Sequence, residues 1–161
     1  MRHQAFDAIF HELGFPPAHG AFDGAVLYSI GRTYSLVVRQ LEQVYARFGL
    51  SAPSFNLLML LKHGVNPEAC TQREIGERLV VSASDMTGLI DRLEKKSLVR
   101  RAAGKDRRCK LIRITPAGTK LLDELWPHHS AVVARVTKGL TKRRAEQLVR
   151  ALTTMREAAS R

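Results

Sequence analysis

Apolar residues in this 161-residue chain recur mainly at helical spacing. Between Ala5 and Leu13 they predict a short amphipathic arm, which Gly14 would end. From Asp23 to Gly49 they alternate steps of three and four, which predicts a long helix whose apolar seam packs against another helix. The seam consists of Leu27, Ile30, Tyr34, Val37, Leu41, Val44 and Phe48. Because the helix is long for a chain of this size, contact between two copies is favoured over packing within one.

A helix-turn-helix is predicted in the middle of the chain. Thr71 and Glu74 form a capping box before one short helix, and Ser82 with Asp85 forms a related pair before a second. The large apolar residues of the second helix share one face: Met86, Leu89, Ile90 and Leu93. In such a motif the second helix can enter the major groove of DNA, although many capped helix pairs are plain structural hairpins.

Three further helices are predicted around this motif. Ser51 begins a leucine-rich helix before it, Thr115 begins a helix after it, and Thr141 caps the last helix. Pro127 should bend or interrupt the helix that Thr115 begins, because proline has no N–H to donate. The chain is therefore expected to be mainly helical.

A basic β-hairpin is predicted directly after the helix-turn-helix. Residues 98–99 and 111–114 form its strands and residues 102–108 its turn. Between Lys95 and Arg113, nine lysines and arginines accompany a single acid. The hairpin would therefore directly follow the helix that can enter the major groove.

The positive charge of the chain is unevenly distributed. Its formal net charge is +11, of which the first 70 residues contribute nothing, residues 71–115 contribute +6 and residues 116–161 contribute +5. A basic run is often only a solvated surface, and anionic lipid or an acidic protein would also attract it. Lys105, Arg107 and Arg108 at the hairpin tip favour a loop that reaches the phosphates or the minor groove of DNA.

Several functional classes are disfavoured by composition. With 45% hydrophobic and 25% charged residues, the chain is expected to fold as one basic globular unit. Cys70 and Cys109 stand far apart and no secretory signal is recognisable, so a cytoplasmic location is expected. The aliphatic run 57–61 is much shorter than the about 20 residues of a membrane span. No catalytic or cofactor motif is recognisable, and adjacent His128 and His129 would point in different directions on a helix, so no metal site is expected.

Four features in register resemble the multiple-antibiotic-resistance regulator (MarR) family of winged helix-turn-helix transcription factors. They are the capped helix pair, the Leu-Glu-Lys-Lys exit at 93–96, the Asp-Arg-Arg of the wing at 106–108, and the Thr-Pro-Ala-Gly at 115–118. The resemblance implies a homodimer without a cofactor, in which segments 1–50 and 116–161 build the dimerisation region and segment 51–115 binds double-stranded DNA. Such a dimer, most often a repressor, would bind a pseudo-palindromic operator with half-sites roughly 34 to 36 Å apart.

The resemblance also assigns DNA-binding roles to particular residues. Four residues in the first half of the recognition helix would contact base edges: Ser82, Ser84, Thr87 and Gly88. Arg92 would contact a phosphate. The wing would contribute Lys105, Asp106, Arg107 and Arg108, with the acid orienting Arg108 in the minor groove. Two positions depart from the family pattern: Gly88 stands where many relatives have arginine, and Ser97 where glycine is usual. If the backbone at Ser97 is left-handed, serine costs about 1 kcal/mol there.

The effector and the function class are the open questions at this point. Relatives often release DNA when a phenolic or other aromatic acid binds, and Tyr28, Tyr34 and Trp126 could line such a pocket, although aromatic residues at helical spacing are more often core. Cys70 and Cys109 could sense oxidants but are more often ordinary thiols. The alternative to a DNA-binding regulator is a winged-helix module that binds an acidic protein. An enzyme is disfavoured because no catalytic constellation is present.

Overall fold

The computed structural model describes residues 4–14, 22–64, 70–79, 83–103 and 110–160. The described residues are mainly helical and include a small antiparallel sheet, which confirms the predicted fold class. The helices are α1 Gln4–Glu12, α2 Phe22–Arg47, α3 Ala52–His63, α4 Gln72–Arg78, α5 Ala83–Lys95, α6 Pro116–Val136 and α7 Lys142–Ala159. The strands are β1 Cys70–Thr71, β2 Val99–Ala103 and β3 Lys110–Ile114. None of the helices within these ranges is long and apolar enough to cross a membrane.

The sheet has three strands in the order β1-β3-β2, and the sequence predicted only two of them. Strand β1 pairs Cys70 with Ile112, so the start of the helix-turn-helix is joined to the hairpin. The expectation that the turn begins at residue 102 is wrong. Ala102 and Ala103 belong to β2, because pairing with β3 outweighs the low strand propensity of alanine.

Side chains from α3, α4, α5 and the sheet form one hydrophobic core with the end of α2 and with α6 as far as Val132. Its largest fully buried side chains include Leu57, Leu58, Leu61, Ile75, Met86, Leu89, Ile90, Leu93, Ile112 and Leu125. The predicted apolar face of α5 is thereby confirmed. We call residues 52–114 the winged-helix lobe; the limits of the three predicted segments remain a prediction.

The predicted starts of α3, α4, α6 and α7 are confirmed by their capping bonds, whereas Ser82, the predicted cap of α5, lies outside the described residues. Thr71 Oγ1 accepts a hydrogen bond from the N–H of Glu74, and the Glu74 carboxylate accepts one from the N–H of Thr71, which completes the capping box. Ser51, Thr115 and Thr141 cap α3, α6 and α7 in the same way. Helix α6 continues through Pro127, so the interruption that the sequence allowed does not occur.

The chain leaves α5 through a strained but well-supported turn. Ser97 has a φ of 56°, so the left-handed backbone considered in the sequence is present. The Thr115 hydroxyl donates to the carbonyl of Ser97 over 2.7 Å and accepts from the N–H of Gly118 over 3.0 Å. A Cβ at Gly118 would collide with the carbonyl of Leu98, so only glycine lets α6 approach this turn.

The helices at the two ends of the chain bury much less. In α2, the apolar seam is buried or packed against the core only towards its C-terminal end, while Leu27 and Tyr34 are 63% and 67% exposed. Helix α7 has no buried residue, and Leu148 and Val149 lie largely in solvent. An apolar surface of this extent remains uncovered in the single chain.

Candidate DNA interface

Helix α5 presents opposite faces to the core and to solvent. Met86 and Ile90 are at most 1% exposed, whereas Thr87, Arg92 and Lys95 are exposed. This separation follows from the apolar residues at steps of three and four, which leave the intervening polar residues on the outer face. The side chains of Thr87 and Arg92, both assigned to DNA from the sequence, are therefore available to a ligand.

Thr87 is positioned by the preceding helix. Its Oγ1 accepts a hydrogen bond of 2.7 Å from Nε2 of Gln72, the first residue of α4. Because that bond uses a lone pair of the oxygen, the hydroxyl hydrogen can still be donated to a base or a phosphate. Gln72 thus fixes the two helices of the motif relative to one another and orients the hydroxyl.

Gly88 is not required by close packing. Among the described residues, the neighbour that a Cβ built there would meet is the end of the Arg92 guanidinium, at 3.3 Å. That group is flexible, so a larger residue could be accommodated. The position instead lets the guanidinium of Arg92 lie back along α5 towards the half of the helix that was assigned to base reading.

Arg101 in β2 joins the hairpin to α5, and we call this contact the Arg101 clamp. Its guanidinium donates to the carboxylates of both Asp91 and Glu94, and its backbone N–H donates to Glu94 over 2.9 Å. The hydrogen bond to Asp91 raises the pKa of Arg101, and the bond from the Arg101 N–H lowers the pKa of Glu94. The clamp offsets half of the negative charge of two acids that would otherwise repel a nucleic acid, and it holds the hairpin against the helix.

Two arginines stand side by side on the hairpin. Arg100 of β2 is paired in register with Arg113 of β3, so their side chains leave the same face of the sheet. Arg100 is exposed and Arg113 is half-buried. Like charges directly opposite one another destabilise a strand pair, and a polyanion bound on this face would relieve that repulsion.

Several residues assigned from the sequence cannot be located on this surface. Ser82 lies outside the described residues, as do the wing residues Lys105, Asp106, Arg107 and Arg108 and the thiol of Cys109. Ser84 belongs to the first turn of α5, but its side chain lies outside the described part. The roles of these residues remain predictions.

The adjacent histidines contact different aromatic neighbours. The ring of His128 lies 5.7 Å from that of Phe48, whereas His129 stacks on Tyr45, Phe55 and Trp126 with ring centres 4.8 to 6.1 Å apart. Its Nδ1 is hydrogen bonded to the hydroxyl of Tyr45 over 3.0 Å. Burial lowers the pKa of His129 and raises that of Tyr45 to about 12, so both side chains are neutral at neutral pH. This aromatic cluster connects α2, α3 and α6.

The residues considered for effector binding and for redox sensing have different neighbours and different degrees of burial. Tyr28 packs edge-to-face on Phe10 of α1, Tyr34 is exposed, and Trp126 belongs to the aromatic cluster. Cys70 is buried, and burial raises the pKa of its thiol, which disfavours the reactive thiolate. An effector pocket lined by the three aromatic residues remains a prediction.

Two residues that position this interface, Gln72 and Arg101, were not predicted from the sequence. Arg101 was only one of the nine cations between Lys95 and Arg113. The spacing of Asp91 and Glu94, three residues apart on one helix, indicated that a basic residue of the hairpin could bind both. Which of the nine cations does so depends on how the hairpin packs.

Comparisons with known proteins agree with this geometry. A family profile described as the MarR family matches residues 48–108. The HTH-type transcriptional regulator MhqR of Bacillus subtilis (strain 168) is 29% identical over 119 residues, which are 73% of this chain and 79% of that protein. The uncharacterized HTH-type transcriptional regulator YkoM of the same strain is 30% identical over 122 residues, which are 68% of this chain and 79% of that protein.

A solved structure shows that the fold is shared as well. Sco3205, a MarR family transcriptional regulator from Streptomyces coelicolor crystallised in complex with DNA, superposes with a TM-score of 0.79. The match covers 89% of this chain and 91% of that one, at 22% sequence identity. Family, relatives and fold agree, and the relatives are regulators rather than enzymes. The chain belongs to the MarR family of transcriptional regulators.

Proposed function

We propose that this regulator binds a pseudo-palindromic operator as a homodimer, with α5 of each copy in the major groove and each hairpin at the adjacent minor groove. The observation that carries the proposal is the outer face of α5, where Thr87 and Arg92 are exposed while the opposite face is fully buried. Side chains at such a helix face meet base edges and phosphates.

The paired Arg100 and Arg113 support contact of the hairpin with phosphates, since a polyanion would relieve their repulsion. The uncovered apolar surfaces of α2 and α7 support the homodimer, because a second copy would remove them from water. Since the operator would be chromosomal, the proposed place of action is the bacterial cytoplasm.

We further propose that the regulator acts as a repressor and releases DNA when a small aromatic or phenolic acid binds. A dimer seated on an operator excludes other proteins from that stretch of duplex. An effector could end this repression only by binding more tightly to a dimer whose two α5 helices no longer match the spacing of the half-sites.

The test begins with selection of bound duplexes from a random library by the purified protein, followed by titration of a selected and a scrambled duplex at several salt concentrations. Thr87→Val is expected to change preference at one base position, at a cost of about 1 to 3 kcal/mol, if the hydroxyl contacts that base. Arg92→Ala should weaken binding to every duplex and reduce the salt slope by about 0.9.

Matched controls lie outside the proposed interface. Thr154→Val and Arg39→Ala remove a hydroxyl and a cation that are exposed on α7 and α2. Thr154→Val should leave base preference unchanged, and Arg39→Ala should leave the affinity and the salt slope unchanged. Equal affinity of the wild-type protein for selected and scrambled duplexes at every salt concentration would reject sequence-specific binding.

A further inference from the structure

A basic cavity lies between the N-terminal end of α3 and the C-terminal half of α5. Its volume is about 430 Å³. The residues that matter for its chemistry are Gly49, Ser51, Ser54, Arg92, Lys95 and Lys96. The cavity is separate from the base-reading half of α5 but on the same helix.

The charge of this cavity has one sign. Three of the residues that line it in the described part of the chain are cations, from the last turns of α5 and just beyond, and none is acidic. Lys96 is held in place because its ammonium donates to the carbonyl of Gly49. Arg92 and Lys95 are exposed, three residues apart, so both can turn towards a ligand at the mouth.

The inner wall offers a hydrogen-bond donor. Ser54 is only 7% exposed, and its hydroxyl lies 3.0 Å from that of Ser51. Two hydroxyls carry two hydrogens, and the bond between them uses one, so one O–H of the pair remains to be donated. The N-terminal end of α3 adds positive potential at the same wall, although its own N–H groups are partly used by the Ser51 cap.

The cavity has cations at its mouth and a hydroxyl donor inside. This arrangement favours an oxyanion, which has several acceptor atoms. We propose that this cavity binds one phosphate group. The group could be a backbone phosphate of bound DNA, because Arg92 and Lys95 continue the helix that we place in the major groove and the phosphates run along the edge of that groove. It could equally be a free phosphate; only the DNA case rests on the proposed function.

The experiment uses the full-length protein with two changes inside the cavity and two outside it. Lys95→Gln removes a cation and Ser54→Ala removes the buried hydroxyl without changing charge. Lys138→Gln and Ser35→Ala are the matched controls, both exposed and outside the cavity. Circular dichroism at each step confirms that the variants are folded, and Lys95→Gln, at an exposed position, keeps the test valid if Ser54→Ala unfolds.

In the first arm, inorganic phosphate is titrated against sodium chloride of equal ionic strength while the melting temperature is followed. A free-phosphate site predicts a larger rise with phosphate in the wild type and in both controls, reduced at least by half in Lys95→Gln and Ser54→Ala. In the second arm, affinity for the selected duplex is measured against salt. A backbone-phosphate site predicts that Lys95→Gln lowers the slope by about 0.9, while Ser54→Ala weakens binding several-fold at an unchanged slope.

A response in either arm supports the phosphate site and identifies its source. The proposal is overturned if phosphate acts no differently from chloride and the cavity variants bind the duplex as the controls do. Because the wild-type protein would still prefer the selected duplex in that case, failure of the cavity is distinguishable from failure of the proposed function.

Discussion

The winged-helix lobe and the helices at the chain ends are all amphipathic, but they bury their apolar residues to different extents within one chain. The lobe supplies most of the core, whereas α7 and the first half of α2 leave large apolar side chains exposed. Leu58, Ile75 and Ile90 in the lobe are fully buried. In α7 no residue is buried, and Leu148 and Val149 are 48% and 59% exposed. The same kind of helical pattern therefore has two outcomes in one molecule.

This difference in burial indicates different roles for the two regions. The lobe supplies most of a core that the end of α2 and α6 complete, and this core can hold α5 and the hairpin in a fixed relation, as the proposed binding to two neighbouring grooves requires. The end helices leave apolar surface for another partner, which we propose to be a second copy. Stability of the lobe should accordingly depend on the single chain, and stability of the end helices on assembly.

The largest expected effect comes from comparing one leucine in each region, the buried Leu58 of the lobe and the half-exposed Leu148 of α7. Leu58→Ala should lower the free energy of unfolding by about 2 to 5 kcal/mol, because a cavity remains in a packed core. Leu148→Ala should act mainly on assembly and raise the dissociation constant of the dimer. Urea unfolding and sedimentation equilibrium measure the two quantities. An unfolding loss in Leu148→Ala that equals that of Leu58→Ala and does not depend on protein concentration would contradict the comparison.

The next effect concerns the Arg101 clamp within the lobe. Arg101→Met keeps the aliphatic stem but removes the donors to Asp91 and Glu94, so stability should fall by about 1 to 2 kcal/mol after allowance for partial exposure. DNA affinity should fall too, because the two acids are then uncompensated. Arg100→Met is the control, since it removes the neighbouring exposed cation. If both variants lose equal stability in urea, the clamp has no special role.

A smaller effect is expected from the helix caps, which occur in both regions. Thr71→Ala should cost about 0.5 to 2 kcal/mol of global stability, because α4 unfolds together with the core against which Ile75 packs. Thr141→Ala removes an equivalent bond at the start of α7 and should mainly fray that helix. Hydrogen exchange distinguishes global unfolding from fraying of α7. Loss of amide protection throughout the winged-helix lobe in Thr141→Ala would contradict this prediction.

The smallest effect is a pH dependence at the junction of the two regions. The pKa of His129 is lowered from its ordinary value of 6.5 by burial, so the unfolded chain takes up a proton at a higher pH than the folded chain does. The stability contributed by the neutral ring is fully present above about pH 6.5 and is lost as the pH falls through the folded pKa. In His129→Gln, the free energy of unfolding, measured in urea between pH 5 and 8, should depend less on pH than in the wild-type protein. A pH dependence in His129→Gln as steep as that of the wild-type protein would contradict this prediction.

Much of the lobe was predictable from local signals. The buried face of α5 follows from the spacing of Met86, Leu89, Ile90 and Leu93, and the start of α4 follows from Thr71 and Glu74. The left-handed turn at Ser97 could be considered because the resemblance marked a glycine position there. These features depend on residues within a few positions of one another, where periodicity and capping chemistry are decisive.

By itself, the amino-acid order determined which stretches become helices, which side of each is apolar, and to which family the regulator belongs. Only the tertiary structure decided that Cys70 pairs in the sheet, that Arg101 is the arginine that binds the acids of α5, and that Ser54 and Lys95 line one cavity. The first group rests on hydrogen bonds and spacing along a single helix. The second group joins residues far apart in the chain, and such contacts form only where the packed core brings their elements together.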